Sequence, residues 1–222
     1  MHNKKIHFIF EKHREPYNSF AQTMISALGQ TEADKADVVV TVGGDGLLLQ
    51  ALRDVRGKPI YGITPPGAPS KGFWTDHSVK TPKDLLRNLE RAEDIALTPL
   101  RAEITFANGN KRICHAFNDV AIERKSGQSV LMNFTADFSG NETGPHRIMG
   151  DGLLFSTAMG STAASRSYGG PAVDIHNDVI ILTGKGIYEP RGIAPIVTHA
   201  DSSHFHVGFG DAASKRPVRI AY

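Results

Sequence analysis

Residues 37–46 have the sequence DVVVTVGGDG, and this stretch decides how the first part of the chain folds. The continuous apolar and β-branched run over residues 37–42 is typical of a parallel strand that is buried on both faces. It ends at residues 43–46, where three glycines permit a tight turn. A helix-prone run follows over residues 47–53. The stretch therefore predicts one strand, turn and helix of an α/β unit.

Strand and helix patterns alternate on both sides of this stretch. Residues 5–10 and 59–64 have strand patterns. Ser19 with Gln22 resembles a capping box at the start of a helix, and Thr81-Pro82 is typical of another helix start. Alternating strands and helices predict an α/β domain with a parallel sheet.

The pattern changes near residue 98, after which strands predominate. Asn108-Gly109 lies between two strand patterns and predicts a hairpin with a type I′ turn. Residues 130–138 alternate between apolar and polar side chains, as in a strand with one buried face. We therefore predict an α/β plus β architecture, with an N-terminal α/β domain over residues 1–98 and a C-terminal, mainly β domain over residues 99–222.

The composition excludes several classes of protein. Of 222 residues, 40% are hydrophobic and 22% are charged, which is typical of a folded, soluble chain. The 25 Lys and Arg residues nearly balance the 23 Asp and Glu residues, so nucleic acid is not an expected partner. No apolar run approaches the roughly 20 residues that cross a bilayer, so we expect no membrane partner. The single cysteine, Cys114, excludes an intrachain disulfide and favours a cytoplasmic protein.

Asp45 places a carboxylate within the glycine turn. Glycines at the start of a helix allow a phosphate to approach backbone N–H groups. A carboxylate would repel that anion, so Asp45 is better suited to accept a proton from a hydroxyl group or to bind Mg²⁺. The alternative interpretation is that Asp45 only caps the helix that follows.

Three further clusters of small and polar residues follow in the sequence. The first is a loop that contains Gly72-Phe73, and the second is Asn118-Asp119 at the start of a strand pattern. The third begins with GDGLLFST at residues 150–157 and continues with GSTAAS at residues 160–165 and with Gly169-Gly170.

In this order the four clusters resemble the motifs of the NAD kinase family, over about residues 37–197. The family pattern is Gly-Gly-Asp-Gly, Gly-Phe, Asn-Glu, Gly-Asp-Gly, then Ser-Thr-Pro-x-Gly-Ser-Thr-Ala-Tyr and Gly-Gly. The resemblance implies an N-terminal α/β domain joined to a C-terminal β-sandwich that binds the dinucleotide. It implies transfer of a phosphoryl group from ATP, or from polyphosphate, with Mg²⁺ to the adenosine ribose 2′-hydroxyl of NAD, giving NADP. It also implies a homodimer or homotetramer.

The resemblance implies roles for ten residues and no protein ligand for the metal. Asp45 would accept the proton of the 2′-hydroxyl, while Gly44 and Gly46 would let phosphates approach the backbone. The remaining seven would bind NAD: Phe73 beside the adenine, Asn118 and Asp119 on the adenosine portion, Thr162, Ala163 and Ser167 completing that pocket, and Asp151 at the nicotinamide end.

The chain departs from the family pattern at several positions, and two other functions therefore stay open. Thr64 stands where the family has Asn, Met149 where it has Arg, and Ala164 where it has Tyr. These departures leave open a non-catalytic NAD(P)-binding relative. Lipid kinases of the diacylglycerol type also carry Gly-Gly-Asp-Gly after a strand, and they form the second alternative.

Four other residues are expected to be structural. Lys185, between two glycines, is expected to be a solvated lysine in a turn. His204 and His206 share one face of a strand and are expected to lie on a solvated edge. Cys114 follows an apolar residue and is expected to pack as a small hydrophobic side chain.

Overall fold

A computed structural model describes residues 4–70, 72–210 and 216–222, and the chain divides into two units, Met1–Ala96 and Leu97–Tyr222. The first unit contains a three-stranded sheet with the strand order β1-β2-β3. Both strand pairs are parallel, so the predicted parallel sheet is confirmed. The strands are β1 (Ile6–Phe10), β2 (Val38–Val42) and β3 (Ile60–Ile63).

Three helices accompany this sheet: α1 (Tyr17–Leu28), α2 (Asp45–Asp54) and α3 (Pro82–Arg91). Thr81 and Asp84 form a reciprocal capping box at the start of α3. The capping box predicted for α1 is wrong, because the helix already begins at Tyr17. Ser19 instead donates its backbone N–H and its hydroxyl to the Glu15 carboxylate, which precedes the helix.

The core of the first unit lies between one face of the sheet and helices α1 and α3. Every second residue of β2 points to these helices, as the alternation of a strand requires. The buried side chains of this core are Ile6, Phe8, Ala21, Met24, Val38, Val40, Val42, Ile63, Val79, Leu85 and Leu89.

The second unit is built from antiparallel strands in three sheets. The five-stranded sheet has the order β11-β10-β9-β6-β13, the three-stranded sheet has the order β12-β7-β8, and β4 pairs with β5 alone. The strands are β4 (Leu100–Thr105), β5 (Lys111–Ala116), β6 (Asp119–Arg124), β7 (Val130–Phe138), β8 (Asn141–Gly150), β9 (Gly152–Ser156), β10 (Val179–Lys185), β11 (Ile196–His199), β12 (Ser203–Gly208) and β13 (Val218–Ala221).

Apolar side chains from the two larger sheets meet in one core, which makes this unit a β-sandwich. Leu153 and Phe155 of β9 point into that core, while Leu154 and Ser156 point to the opposite face of the five-stranded sheet. All five residues of β9 are buried, so both faces of this strand are covered. The core comprises Ile122, Val130, Met132, Phe134, Ala136, Ile148, Leu153, Phe155, Ile180 and Leu182.

The hairpin between β4 and β5 is confirmed, but its predicted turn type is wrong. Five residues separate the strands, and Gly109 alone has a positive φ, +82°. A type I′ turn needs a positive φ at both central residues. That geometry is found instead between β7 and β8, where Ser139 and Gly140 have φ values of 55° and 84°.

Two 3₁₀ helices, Ala33–Lys35 and Met159–Thr162, and the short helix α4 (Ala164–Ser167) complete the described elements. In the described ranges no helix combines the length and the apolar character needed to cross a membrane.

Candidate active site

Asp45 is the first residue of α2 and follows directly on the buried strand β2 and its glycine turn. Its carboxylate accepts two backbone hydrogen bonds, from the N–H of Phe73 to Oδ2 at 2.7 Å and from the N–H of Trp74 to Oδ1 at 3.0 Å. The cap residue of the helix is Gly44, and no side chain caps the helix there. The alternative in which Asp45 only caps α2 is therefore wrong. The carboxylate is half-buried and is held by a loop that is far away in the sequence.

Glycines surround Asp45 at positions where a side chain would collide with the site. A Cβ on Gly72 would lie 2.5 Å from Asp45 Oδ1, and a Cβ on Gly44 would lie 2.3 Å from Ser70 Oγ. Gly46 differs, because a Cβ there would meet no atom within 4 Å. The site therefore depends on two glycines for close packing, while the third leaves open space beside the turn.

Phe73 is 65% exposed, although it belongs to an apolar residue type. Its ring meets Trp74 edge to face, with ring centroids 5.0 Å apart. Both rings line a cavity of about 360 Å³ together with Leu48, Tyr61 and other residues of the first unit. An exposed aromatic ring next to Asp45 is available to a ligand, and it does not serve as a core residue.

In the second unit, Asn118 and Asp119 lie next to the loop that carries Thr162 and Ala163. The Asn118 carbonyl accepts a hydrogen bond from the Thr157 N–H at 2.9 Å. The Thr157 hydroxyl donates to Phe117 O at 2.5 Å and accepts from the Gly160 N–H at 3.1 Å. These bonds join the start of β6 to the loop after β9.

The side chains of Asn118 and Asp119 both carry acceptor oxygens in this partly buried region. Asn118 Oδ1 is buried and has no hydrogen-bond partner among the described residues. Burial raises the pKa of the Asp119 carboxyl, although the charge of Lys185 opposes that shift. A buried acceptor without a partner costs stability, so Asn118 Oδ1 is suited to receive a donor from a ligand. A donor from a ligand would also offset the cost of burying the ionised Asp119 carboxylate.

Thr162, Ala163 and Ser167 lie on the segment that follows this junction. Thr162 ends the 3₁₀ helix, Ala163 links it to α4, and Ser167 is the exposed last residue of α4. Thr162 and Ala163 are half-buried.

Asp151 does not lie with Asn118 and Asp119. Asp119 is paired with Ser156, whereas Asp151 immediately precedes Gly152, which is paired with Glu123 at the other end of the ladder. Four residues of strand separate the two ends by roughly 13 Å. A ligand would therefore have to be extended to reach both aspartates. The Asp151 carboxylate lies 3.1 Å from Arg124 Nε, with which it forms an ion pair.

Lys185 is not the solvated turn residue that the sequence predicts, because it is only 8% exposed. Its ammonium group donates to the Glu123 carboxylate and lies 5.0 Å from the centroid of the Tyr168 ring. Glu123 also accepts from Arg219. Lysines flanked by glycines are usually solvated, so no local sequence signal identifies this charged cluster.

The remaining expectations concern metal ligands and the cysteine. His204 and His206 are exposed on β12, as expected for a solvated edge. Within residues 4–70, 72–210 and 216–222 there is no group of three His, Cys, Asp or Glu side chains that could hold a metal ion. Cys114 is buried, and this burial raises the pKa of its thiol, which disfavours a nucleophilic role.

Asp119 and Glu123 lie on the same face of β6, and their pKa values move in opposite directions. The pKa of Asp119 is raised, so its ionisation costs stability as the pH rises above the ordinary carboxyl range near about 4. We expect D119N to increase the free energy of unfolding at pH 7, with a gain that vanishes below that range.

Glu123 should show the opposite effect. Hydrogen bonds from Lys185 and Arg219 lower the pKa of Glu123, so E123Q should decrease the free energy of unfolding by about 2 kcal/mol at pH 7.

Thermal unfolding of both variants between pH 3 and pH 8 measures these effects. The loss in E123Q should shrink as the pH falls through the carboxyl range, since the ionised Glu123 stabilises the fold only above it. A D119N protein that is less stable than the natural protein at pH 7 would contradict the assignment of a destabilising, buried carboxylate.

Comparison with known proteins shows which family the chain belongs to. No protein-family model matches the chain. The chain is 30% identical over 191 residues to a protein named NAD kinase from Xanthomonas oryzae pv. oryzae (strain MAFF 311018), and the match covers 85% of this chain and 72% of that relative. The chain belongs to the NAD kinase family. This confirms the resemblance seen in the motifs and makes the chain a member of a phosphotransferase family.

Two solved structures share the fold of this NAD kinase family member. One is the yeast NADH kinase complexed with NADH, with a TM-score of 0.78, 18% identity, and coverage of 98% of this chain and 74% of that chain. The other is an NAD kinase from Archaeoglobus fulgidus in complex with ATP, with a TM-score of 0.63, 22% identity, and coverage of 91% and 79%. At these identities the likeness shows the fold, and the predicted fold class is confirmed.

Proposed function

We propose that this chain is an NAD kinase that transfers the terminal phosphoryl group of ATP, with Mg²⁺, to the adenosine ribose 2′-hydroxyl of NAD. Residues 1–98 would supply the acidic group that acts on the hydroxyl, and residues 99–222 would bind the dinucleotide. The observation that carries the proposal is the position and the hydrogen bonding of the Asp45 carboxylate. Its carboxylate is fixed by two N–H groups and stays half-exposed, and the neighbouring Gly46 leaves open space beside the turn.

Asp45 is suited to act as a general base. Each carboxylate oxygen can accept more than one hydrogen bond, so one N–H on each oxygen leaves acceptor positions for a substrate hydroxyl. Removing the hydroxyl proton as the new oxygen–phosphorus bond forms makes the oxygen a better nucleophile. The fixed N–H donors hold the carboxylate in place before substrate arrives, which limits the reorganisation needed during transfer.

The residues present are compatible with magnesium that arrives with the nucleotide. Mg²⁺ commonly binds through one or two carboxylates plus phosphate oxygens and water, so it needs no cluster of protein ligands. Asp45 is the carboxylate beside the glycine turn that would be available to it. When bound, the ion would neutralise charge on the transferring phosphoryl group.

The second unit offers groups that suit the adenosine portion of NAD. The Asn118 amide oxygen can accept from a ribose hydroxyl or an adenine amine, and Asp119 can accept from a second ribose hydroxyl. Thr162, Ala163 and Ser167 would border this pocket. Phe73 would lie beside the adenine, and Asp151, at the other end of the β6–β9 ladder, would face the nicotinamide end.

We further propose that the protein acts in the cytoplasm as a homodimer or homotetramer. A single, buried cysteine supports a reducing compartment. Several large apolar side chains on the second unit are exposed, among them Tyr188 at 62% and Ile113 at 52%, and a subunit interface would cover such groups.

A panel of acceptors tests the proposed function. Purified protein is incubated with ATP and Mg²⁺ and, in separate reactions, with NAD, NADH or diacylglycerol in vesicles, and NADP is measured with an NADP-specific dehydrogenase. NADP from NAD is the expected product. Binding of NAD without product would favour a non-catalytic relative, and phosphorylation of the lipid alone would favour a lipid kinase. A parallel reaction with polyphosphate in place of ATP shows which of the two is the phosphoryl donor.

Replacement of Gly46 by alanine tests whether substrate occupies the open space beside the turn. No atom lies within 4 Å of the added Cβ, and alanine favours the helix over glycine, so G46A should be more stable by about 0.5 kcal/mol. If phosphates approach the backbone there, kcat/KM should fall by about tenfold. Thermal unfolding and steady-state kinetics measure the two effects. Q50A, an exposed change on the same helix, is the control, and full activity of G46A would contradict the proposed phosphate position.

A further inference from the structure

Thr64 and Thr75 form a buried pair of hydroxyl groups beside the Asp45 site. Thr64 directly follows β3 and is 1% exposed, and Thr75, in the loop that holds Asp45, is 5% exposed. Their Oγ1 atoms are 2.7 Å apart. Thr64 Oγ1 also lies 2.8 Å from the carbonyl oxygen of Gly43, in the glycine turn.

The chemistry of these groups fixes the direction of both hydrogen bonds. A carbonyl oxygen can only accept, so the Thr64 hydroxyl donates its proton to Gly43 O. The Thr75 hydroxyl must then donate to Thr64 Oγ1. The result is a directed chain from the loop, through the end of β3, to the turn that precedes Asp45.

Two glycines make room for Thr75 at this position. A Cβ on Gly62 would lie 2.8 Å from Thr75 Cγ2, so the threonine methyl occupies the space of the missing side chain. A Cβ on Gly72 would lie 2.5 Å from both Thr75 Oγ1 and Asp45 Oδ1. These two oxygens are therefore no farther apart than twice that distance, which brings the hydroxyl pair close to the carboxylate.

We propose that Thr64 and Thr75 are positioning residues for Asp45. The hydroxyl pair ties the Gly43 carbonyl, two residues before Asp45, to the loop whose Phe73 and Trp74 N–H groups hold the carboxylate. The pair thus fixes the distance between the carboxylate and its two donors without touching substrate. This inference rests on the proposed role of Asp45 as the base.

Removal of the Thr64 hydroxyl should therefore affect turnover more than substrate binding. T64V keeps the shape of the side chain but removes both hydrogen bonds, and we expect kcat to fall by about 10- to 100-fold. The KM for NAD should change less than about threefold, because all of the proposed NAD-binding residues except Phe73 lie in the second unit. T64S keeps the hydroxyl and should retain most of the turnover.

A double-mutant cycle separates this role from a general loss of stability. T75V should reproduce the kcat defect of T64V, and the T64V/T75V double variant should be little worse than either single change. All three variants break the link from the loop to the turn, T75V by removing the Thr75–Thr64 bond alone and T64V by removing both bonds. If the defects in kcat multiply, the two residues act independently and the proposal is wrong. If T64V does not fold, the same test is made with T75V, which should lose turnover, and T64S, which should keep it.

Thr41 provides a matched control. It is a fully buried threonine on β2, paired with Gly62, and its hydroxyl has no partner among the described residues. T41V should leave kcat unchanged. A natural protein that makes no NADP would refute the proposed function, and a D45N protein with full turnover would refute the role of Asp45 on which this inference rests. Normal turnover of T64V and T75V beside an impaired D45N would overturn only this inference.

Discussion

The D45N protein should bind NAD but should phosphorylate it about 10² to 10⁴ times more slowly than the natural protein, because it lacks the general base. The substitution preserves the size of the side chain. It replaces one acceptor oxygen by an amide NH₂, so one of the two hydrogen bonds from Phe73 and Trp74 is lost. The loss should appear in kcat, measured by steady-state formation of NADP, with little change in the Kd for NAD, measured by calorimetry.

The control for D45N is D54N, which changes an exposed aspartate at the other end of α2. D54N should have normal turnover and stability. Near-normal kcat in D45N would remove Asp45 from the mechanism. An equal loss of NAD affinity and turnover would assign it to binding instead of proton transfer.

Replacement of Gly160 by alanine should strongly destabilise the second unit. The new Cβ would lie 2.1 Å from the carbonyl oxygen of Asn118, and a backbone atom at the start of β6 cannot move aside cheaply. We expect the free energy of unfolding to fall by about 3 kcal/mol. The Kd for NAD should rise at least about tenfold, since the strand carrying Asn118 and Asp119 must shift.

Gly127 supplies the matched control for this change. It is exposed, its Cβ would meet no atom within 4 Å, and it belongs to the same unit, so G127A should be neutral. Denaturant unfolding and calorimetric titration of NAD compare the two variants. A G160A protein with natural stability and NAD affinity would show that the tight approach of Gly160 to Asn118 does not hold the site together.

Local patterns in the sequence were sufficient to predict the parallel sheet and the glycine turn. The apolar run of β2 and the glycines that follow it act within a few residues, and the structure places both as predicted. Strand β8 was missed, because residues 141–147 are exposed and contain a proline, and their strand geometry comes from pairing with β7. The residues of such a strand do not by themselves predict which strand it pairs with.

The contacts of the candidate site could not be predicted for a related reason. The donors that hold Asp45 are 28 and 29 residues away, and the Glu123 partner of Lys185 is 62 residues away. The motifs identified Asp45 and Asn118 as candidates because their residue types match a family pattern. Which groups hold them depends on tertiary packing, as the buried hydroxyl of Thr64 shows.

The site of phosphorylation on NAD tests the account most directly. The natural protein is incubated with NAD, Mg²⁺ and ATP labelled in its terminal phosphoryl group, and the product is examined by phosphorus NMR and mass spectrometry. We predict a single product that carries the labelled phosphate on the 2′-oxygen of the adenosine ribose. Unchanged NAD, or a phosphate on any other oxygen, would contradict the account.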